Sequence, residues 1–220
     1  MAIGLISDIH ANLPALEAVL DDMPTVETIV CAGDIVGYNP WPAECVTLVQ
    51  EVCTVVVEGN HDRTVDRPHR YRANRMAEAG LELAYDELNN DQLAWLKNLP
   101  RQASVAGEYL LVHDHPKHRD KYVQPHEFPR VRPYLDDYAG AILGHTHRQH
   151  KATIDDRLIV NPGSVGQPRD GDNDAAYAVL YPDERTVDLR RAKYDVNEVI
   201  KCIEESVLPV ETATRLLDGS

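Results

Sequence analysis

The sequence predicts an α/β fold, and three observations support that prediction. Three runs are apolar almost without interruption, as in strands buried on both faces of a sheet: AIGLIS (2–7), ETIVCA (27–32) and CTVVVE (53–58). The segments between them have helical spacing, an alternation typical of parallel strands joined by right-handed crossovers. The later apolar runs lie closer together with short turns between them, which indicates a second sheet that is antiparallel or mixed.

The other elements follow in order along the chain. Helices are predicted for LPALEAVLDD (13–22) and WPAECVTLVQE (41–51), since Pro14 and Pro42 stand near their starts. Further helices are predicted at 73–88, 90–98 and 125–137. Later strands are predicted at 109–113, 140–144, 157–161, 176–181 and 186–191. VNEVIKCIEE (196–205) has one apolar face, so residues 195–220 are expected to form a helical tail on a single domain spanning 1–220.

The composition is that of a protein with a substantial core, since 43% of its 220 residues are hydrophobic. No stretch approaches the roughly 20 apolar residues of a membrane span. The motif SDIH begins at Ser7 and leaves no room for a signal peptide, so a cytoplasmic protein is expected. The four cysteines show no CxxC spacing, and we interpret them as reduced residues of the core.

The charge is strongly negative, at −14. This charge disfavours nucleic acid or an anionic membrane as the main partner. Such a surface is also expected of a protein adapted to high salt, in which case stability should rise with molar salt. Basic residues are nevertheless concentrated in two windows, 63–75 and 113–132, each following candidate metal ligands.

Polar residues that bind divalent metals follow five of the predicted strands: Asp8 and His10, Asp34, Asn60 with His61 and Asp62, His113, and His145 with His147. In an extended backbone, residues two apart project to the same side, which would pair Asp8 with His10 and His145 with His147. Taken singly, each motif is also explained by a turn, a helix cap or a core histidine. Their recurrence at successive strand ends favours one shared site of imidazole, carboxylate and amide ligands, suited to Mn, Fe, Ni, Co or Zn.

The order of these motifs resembles the calcineurin-like metallophosphoesterases, in their small prokaryotic phosphodiesterase-like branch. The matching residues are Asp8-x-His10, Gly33-Asp34 followed by Val36-Gly37-Tyr38, Gly59-Asn60-His61-Asp62, His113, Gly144-His145-Thr146-His147, and NPGSVGQPRD from Asn161 to Asp170. The match extends from residue 3 to about residue 181. The resemblance implies a four-layer sandwich in which two mixed β-sheets are flanked by helices.

The resemblance also implies a dinuclear centre and a reaction. One metal would be held by Asp8, His10, Asp34 and His147, and the other by Asp34, Asn60, His113 and His145, with Asp34 as the bridge. Manganese is expected first, with Fe, Ni, Co or Zn as alternatives. A hydroxide bridging the metals would hydrolyse a phosphodiester or phosphomonoester. His61 would protonate the leaving oxygen or stabilise the phosphoryl group, and Asp62 would either orient His61 or cap the next segment.

One departure concerns the residue after His113, where the family usually has glycine and this chain has Asp114. It implies a changed loop shape, and it leaves His115 as an extra ligand, a substrate contact or an exposed residue. Three further residues are candidates for substrate binding. Tyr38 would line the pocket, while Arg67 and Arg70 would either grip phosphate or lie on a solvated helix face.

Other functions remain compatible with the sequence. Within enzymes, the alternatives are a dinucleoside polyphosphate hydrolase and a protein phosphatase. From a different class comes a non-catalytic scaffold on the same fold, although such proteins tend to lose ligands or the catalytic histidine and this chain keeps them all. The expected partner is a small phosphoester, and a homo-oligomer is compatible with the chain.

Overall fold

The computed structural model describes all residues, 1–220. The strands are β1 Ile3–Ile6, β2 Thr28–Cys31, β3 Cys53–Val56, β4 Gln102–Val105, β5 Tyr109–Val112, β6 Gly140–Ile142, β7 His150–Ile154, β8 Arg157–Asn161, β9 Ala175–Tyr181 and β10 Thr186–Ala192. The α-helices are α1 Leu13–Asp22, α2 Pro42–Val52, α3 Asn60–Thr64, α4 Arg75–Glu87, α5 Asn90–Lys97, α6 Val196–Glu204 and α7 Glu211–Asp218. None of these helices has the length and apolar character needed to cross a membrane.

The first sheet has the strand order β10-β9-β1-β2-β3. Strands β1, β2 and β3 are parallel, as predicted, and β9 joins antiparallel to β1 with Ile3 opposite Leu180. The prediction that the last two strands belong to a second sheet is therefore wrong, because the β9–β10 hairpin extends the first. The reason lies in burial: six of the seven residues of β9 are buried, so the strand needs neighbours on both edges and cover on both faces.

The second sheet has the order β4-β5-β6-β8-β7 and is mixed, as predicted. Strands β5, β6 and β8 are parallel, while β4 and β7 lie antiparallel at the two edges. The sequence did not predict β4 or β7. Both are edge strands with partly exposed residues, QASV and HKATI, and so they lack the apolar run that marks an interior strand.

The two sheets pack face to face through one apolar cluster. It combines Leu5 and Val30 of the first sheet with Leu111, Ile142 and Val160 of the second, all at most 1% exposed. Helices α1, α2 and α4 bury the outer face of the first sheet, and short 3₁₀ segments cover the second. The resulting four layers confirm the predicted sandwich.

Most helices confirm the predictions, and their ends have local causes. Helix α1 begins where the side chain of Asn12 accepts the N–H of Ala15, and Asn74 caps α4 in the same way. The regular helix predicted at 125–137 is wrong, since the chain forms two 3₁₀ segments, Pro125–Arg130 and Arg132–Tyr134. Pro129 and Pro133 interrupt helical hydrogen bonding there. The tail forms α6 and α7, which pack against Ala79 of α4.

Candidate metal centre

The loops after β1, β2, β3, β5 and β6 bring the seven predicted metal ligands to one place. The loops follow the carboxyl ends of parallel strands in both sheets, and so they meet at one edge of the sandwich. All seven side chains are buried, although every one of them is polar or ionisable: Asp8, His10, Asp34, Asn60, His113, His145 and His147. So many buried polar groups require hydrogen-bond or metal partners, and the distances between them indicate which partners fit.

The ligand loops are not extended, contrary to the expectation for Asp8, His10, His145 and His147. These residues have φ values of 53°, 48°, 69° and 56°, and Asp34 has 54°. Left-handed conformations cost energy for residues with a Cβ, and they persist where surrounding structure enforces them. Here the loops are bound together, since Asp8 N–H donates to Gly33 O at 2.9 Å and His10 N–H to Asp34 O at 3.0 Å.

One half of the site is formed by Asp8, His10 and His147, which form a potential metal-binding group. The two Nε2 atoms face each other at 3.0 Å. Each Nδ1 is directed at a backbone carbonyl, that of Val36 at 3.1 Å and that of Gln167 at 2.6 Å. Donating from Nδ1 leaves both Nε2 atoms with lone pairs. These lone pairs, together with Asp8 Oδ1 at 3.4 Å from His147 Nε2, fit a divalent cation between them.

The other half of the site, formed by Asn60, His113 and His145, is arranged in a similar way. His113 Nδ1 donates to Ala32 O at 2.8 Å, so in the neutral ring that a metal requires its Nε2 carries a lone pair. That Nε2 lies 3.1 Å from Asn60 Oδ1 and 3.2 Å from His145 Nδ1. The amide oxygen cannot donate to the ring nitrogen, and a cation would satisfy both. The residues present therefore fit a second divalent ion.

Asp34 lies between the two halves. Its Oδ1 accepts the backbone N–H of His61 at 2.8 Å. Its Oδ2 lies 3.8 Å from His10 Nε2 and 3.4 Å from His113 Nε2. One carboxylate oxygen thus faces a histidine of each half, which is the position that the predicted bridge requires.

The buried charges perturb one another strongly. Burial raises the pKa of Asp8 to about 7. Burial also lowers the pKa of His113, but the negative charges of Asp34 and Asp8 outweigh it and raise that pKa to about 10. Burial raises the pKa of Asp34 too, but the positive charge of His113 holds it well below its usual value. At neutral pH the metal-free site therefore holds protons on groups that a cation needs deprotonated.

Cation binding should release these protons. Because the raised pKa values keep His113 protonated below about 10 and Asp8 below about 7, lowering the pH strengthens proton competition. We expect Mn²⁺ affinity to fall steadily from about pH 9 to about pH 6. Calorimetric titrations in buffers of different ionisation enthalpy should show proton release, and an affinity independent of pH would contradict this expectation.

His61 lies beside the metal ligands and is 3% exposed. Its ring contacts those of His10, Tyr38 and Tyr71, with centroids 4.9, 5.0 and 4.9 Å away. Burial lowers the pKa of His61 to about 4, so the ring is neutral at pH 7. The position suits a group that acts on a substrate bound at the ligands.

Asp62 does not orient His61, and that alternative is wrong. Its oxygens accept backbone N–H groups instead, from Asp34 at 2.7 Å, Ile35 at 2.8 Å and Gly59 at 3.0 Å. The His61 Nδ1 atom has no hydrogen-bond partner. Asp62 therefore caps α3 and holds the loop that carries Asp34.

The substitution Asp62→Asn should therefore act on stability. An amide has one acceptor oxygen, and its NH₂ would face N–H groups that need acceptors. We expect the free energy of unfolding to fall by about 3 kcal/mol, measured by urea denaturation of the metal-free protein. Asp66→Asn, at a partly exposed carboxylate paired with Lys97, should change it little. Equal effects at both positions would contradict the role given to Asp62.

The NPGS turn, residues 161–164, holds two of the ligand loops through hydrogen bonds. Ser164 Oγ donates to the carbonyl of Asp8 at 2.6 Å, and Asn161 Nδ2 donates to that of Gly144 at 2.7 Å. Both residues are at most 1% exposed. The turn thus holds two strand-end loops in their left-handed conformations, which is a positioning role.

Tyr71 was not identified from the sequence, yet it sets the direction of a ligand. Asn60 Nδ2 donates to Tyr71 Oη at 2.7 Å, which leaves Asn60 Oδ1 facing His113. Tyr71 lies in a 3₁₀ turn eleven residues downstream, Pro68–Tyr71, and no local pattern links it to the site. Groups that hold a metal ligand in place contribute to metal affinity.

The substitution Tyr71→Phe should weaken one metal site selectively. Without the phenolic oxygen, the Asn60 amide loses the partner that fixes its orientation. We expect about tenfold weaker binding of one Mn²⁺ ion, measured by calorimetry, with the other ion little affected. Tyr85→Phe, at an exposed tyrosine of α4, is the matched control. Equal weakening of both ions would argue against this role.

The predicted substrate residues differ in their distance from the candidate metal ligands and from the adjoining cavity. Tyr38 is 4% exposed and lies edge-on to His10 with centroids 4.7 Å apart. Arg70 lines a cavity of about 290 Å³ beside Asn60 and His145. Arg67 does not line this cavity, and its Nε donates to Asp66 Oδ1 at 3.2 Å.

His115 is buried, so the alternative that it is exposed is wrong. Its Nδ1 accepts the N–H of Lys117 at 3.0 Å, and its ring packs against those of His118 and Tyr134. It belongs to none of the groups that could hold a metal. His115 stabilises its own loop.

Asp114 shapes that same loop. It does not have a positive φ, so the backbone here does not require the glycine of the family. Its carboxylate accepts the N–H of Asp120 and pairs with Arg101 at 3.2 Å. The loop that follows brings Tyr122 over His145, where the rings stack with centroids 4.1 Å apart and an interplanar angle of 11°.

Arg169 is a second residue close to the site that received no role from the sequence. Its backbone N–H donates to His147 O at 3.0 Å, and its guanidinium donates to Tyr38 Oη at 3.3 Å. Its positive charge contributes to the lowered pKa values of His10 and His147, after burial. The only signal was its place in the NPGSVGQPRD motif.

Comparisons with known proteins agree with this geometry. Residues 1–185 match the calcineurin-like phosphoesterase superfamily domain. The chain is 33% identical to the uncharacterized protein MJ0912 of Methanocaldococcus jannaschii over 242 residues, covering 99% of this chain and 98% of that protein.

Two solved structures share the fold over nearly the whole of both chains. A metallophosphoesterase from Sphaerobacter thermophilus superposes with a TM-score of 0.87 at 34% identity, covering 100% of both chains. The hypothetical protein PH1004 from Pyrococcus horikoshii has a TM-score of 0.88 at 20% identity, covering 100% of this chain and 98% of that one, and shows the fold alone. With its strand-end ligands and four-layer sandwich, this chain belongs to the calcineurin-like phosphoesterase superfamily.

Proposed function

We propose that this protein is a divalent-metal-dependent phosphoesterase that hydrolyses phosphodiesters or phosphomonoesters. The observation that carries the proposal is the convergence of buried lone pairs in two sets that share Asp34. His10 and His147 face each other in one set, and His113 faces Asn60 in the other. Divalent cations would pair these buried groups in place of the protons that the metal-free site holds.

The bound ions would supply the chemistry that side chains lack, by lowering the pKa of water and by neutralising phosphate charge. Asp8 and Asp34 are the carboxylates of the ligand set, so two divalent ions would leave the centre positive. A phosphoester anion is therefore attracted to the mouth of the site. The ligands are held by backbone contacts, which favours a preformed site over one assembled by the substrate.

His61 would act on the phosphoryl group or on the leaving oxygen. Its pKa of about 4 makes it a neutral N–H donor at pH 7. A bound phosphate dianion would raise that pKa, because negative charge favours the protonated ring. The neutral ring would donate a hydrogen bond to a phosphoryl oxygen, and the protonated ring would give its extra proton to the leaving oxygen and return to the neutral form.

The non-catalytic alternative receives no support from the site. Every ligand expected for two ions is present and buried, and His61 lies against His10. Burial of such groups costs stability unless cations pair with them. A small phosphoester remains the expected partner.

Metal analysis and a substrate panel test the proposal. The purified protein should bind Mn²⁺ or a similar ion, lose activity with chelator and regain it when the ion returns. Phosphomonoesters, phosphodiesters and dinucleotide esters should be compared at low and high salt. Absence of metal-dependent hydrolysis across the panel would overturn the phosphoesterase assignment.

A further inference from the structure

The cavity beside Asn60 and His145 has a composition suited to binding a part of the substrate other than the reacting phosphate. Its volume is about 290 Å³, and its remaining lining residues are Arg63, Thr64, Arg70, Tyr71, Asp120 and Tyr122. Two of these are tyrosines and two are arginines. The cavity therefore offers both ring surface and positive charge directly next to the metal ligands.

The two arginines differ in how their charges are used. Arg63 pairs with Asp120 at 2.6 Å and lies 3.9 Å from Glu58, so its charge is balanced within the protein. Arg70 makes no ion pair or side-chain hydrogen bond and is exposed to the cavity mouth. One positive charge of the cavity is thus free for a ligand.

The tyrosines form walls that are fixed in place. Tyr122 stacks on His145 with centroids 4.1 Å apart and is 47% exposed, so much of it remains open. Tyr71 is held through its hydroxyl by Asn60 and contacts the ring of His61. A planar ring in the cavity would meet aromatic surface without ordering new side chains.

The contact between Tyr71 and His61 indicates which part of a substrate would enter. His61 is the group proposed to give a proton to the leaving oxygen, so the leaving group departs on its side of the site. The cavity wall lies on that side, with centroids of the two rings 4.9 Å apart. The cavity therefore adjoins the leaving group rather than the attacking water.

We propose that this cavity binds the leaving group of the ester and selects phosphoesters whose leaving group carries a ring and a second negative charge. Arg70 would pair with that charge, while Tyr71 and Tyr122 would flank the ring. This inference rests on the phosphoesterase function proposed above and names the substrate class of the same site.

A matched pair of substrates tests the inference. Phenyl phosphate and 4-carboxyphenyl phosphate share the reacting group and the ring, and they differ in the second charge. With the Mn²⁺-loaded protein we expect kcat/KM to be higher for 4-carboxyphenyl phosphate by about tenfold, mostly through KM. Arg70→Gln should remove this preference. Arg72→Gln, the same change at an exposed arginine outside the cavity, should keep it.

Product inhibition supplies a second measurement. 4-Hydroxybenzoate should inhibit phenyl phosphate hydrolysis more strongly than phenol does, and Arg70→Gln should abolish that difference. If both esters are hydrolysed equally well, or the preference survives Arg70→Gln, the leaving-group inference is overturned and the phosphoesterase function stands. If neither ester nor any member of the substrate panel is hydrolysed, the phosphoesterase function falls, and the inference falls with it.

Discussion

The substitution Asp34→Asn is expected to abolish activity and to empty both metal sites. Asp34 Oδ2 faces His10 and His113, so a neutral amide removes negative charge from both halves together. We expect the activity to fall about a thousandfold or more. Metal content, measured on the purified protein, should fall from about two ions to less than one.

The backbone offers a matched control for this experiment. Asp34 has a φ of 54°, which asparagine adopts readily, so the substitution should not distort the loop. Asp156→Asn makes the same chemical change at a φ of 62° on an exposed turn. It should leave both metal content and activity unchanged. Loss of one ion from Asp34→Asn with full retention of the other would contradict the bridging role.

The substitution His61→Ala is expected to retain the metals and lose turnover. The His61 backbone N–H donates to Asp34 Oδ1, and alanine keeps that N–H, so the bridge stays in position. The imidazole is not among the seven proposed ligands. We expect kcat to fall by about 10²–10⁴-fold, the usual contribution of an acid–base group.

The measurement requires metal content and kinetics on the same preparation. His69→Ala, at an exposed histidine of the following segment, is the control and should behave as the unsubstituted protein. If His61→Ala lost an ion as well as activity, His61 would be a ligand. The geometry allows that result, since His10, Asp34 and His61 also form a potential metal-binding group.

The α/β class and the meeting of metal-binding residue types at one place were predictable because both depend on local features. Near-continuous apolar runs marked β1, β2 and β3, and the metal-binding residue types followed their ends. Parallel strands place such ends at one edge, so short motifs far apart in the chain predicted one site. The edge strands β4 and β7 were not predicted, because partly exposed strands have no continuous apolar run.

The roles of single residues were less predictable. Asp62 follows His61 in sequence, yet its carboxylate turns to the backbone of Asp34 and Ile35. Tyr71 and Tyr122 sit in segments with no regular pattern and reach the site only in the folded chain. Adjacency in sequence says little about the direction of a side chain in a left-handed turn.

The sequence by itself determined most of the elements and the types and order of the candidate metal-binding residues, because apolar periodicity and residue chemistry are local properties. Tertiary structure decided which sheet β9 and β10 extend, which nitrogens face each other, and which arginine remains unpaired beside the site. These depend on contacts between residues far apart in the chain. Burial makes those contacts decisive, since buried lone pairs and charges cost stability unless they have partners.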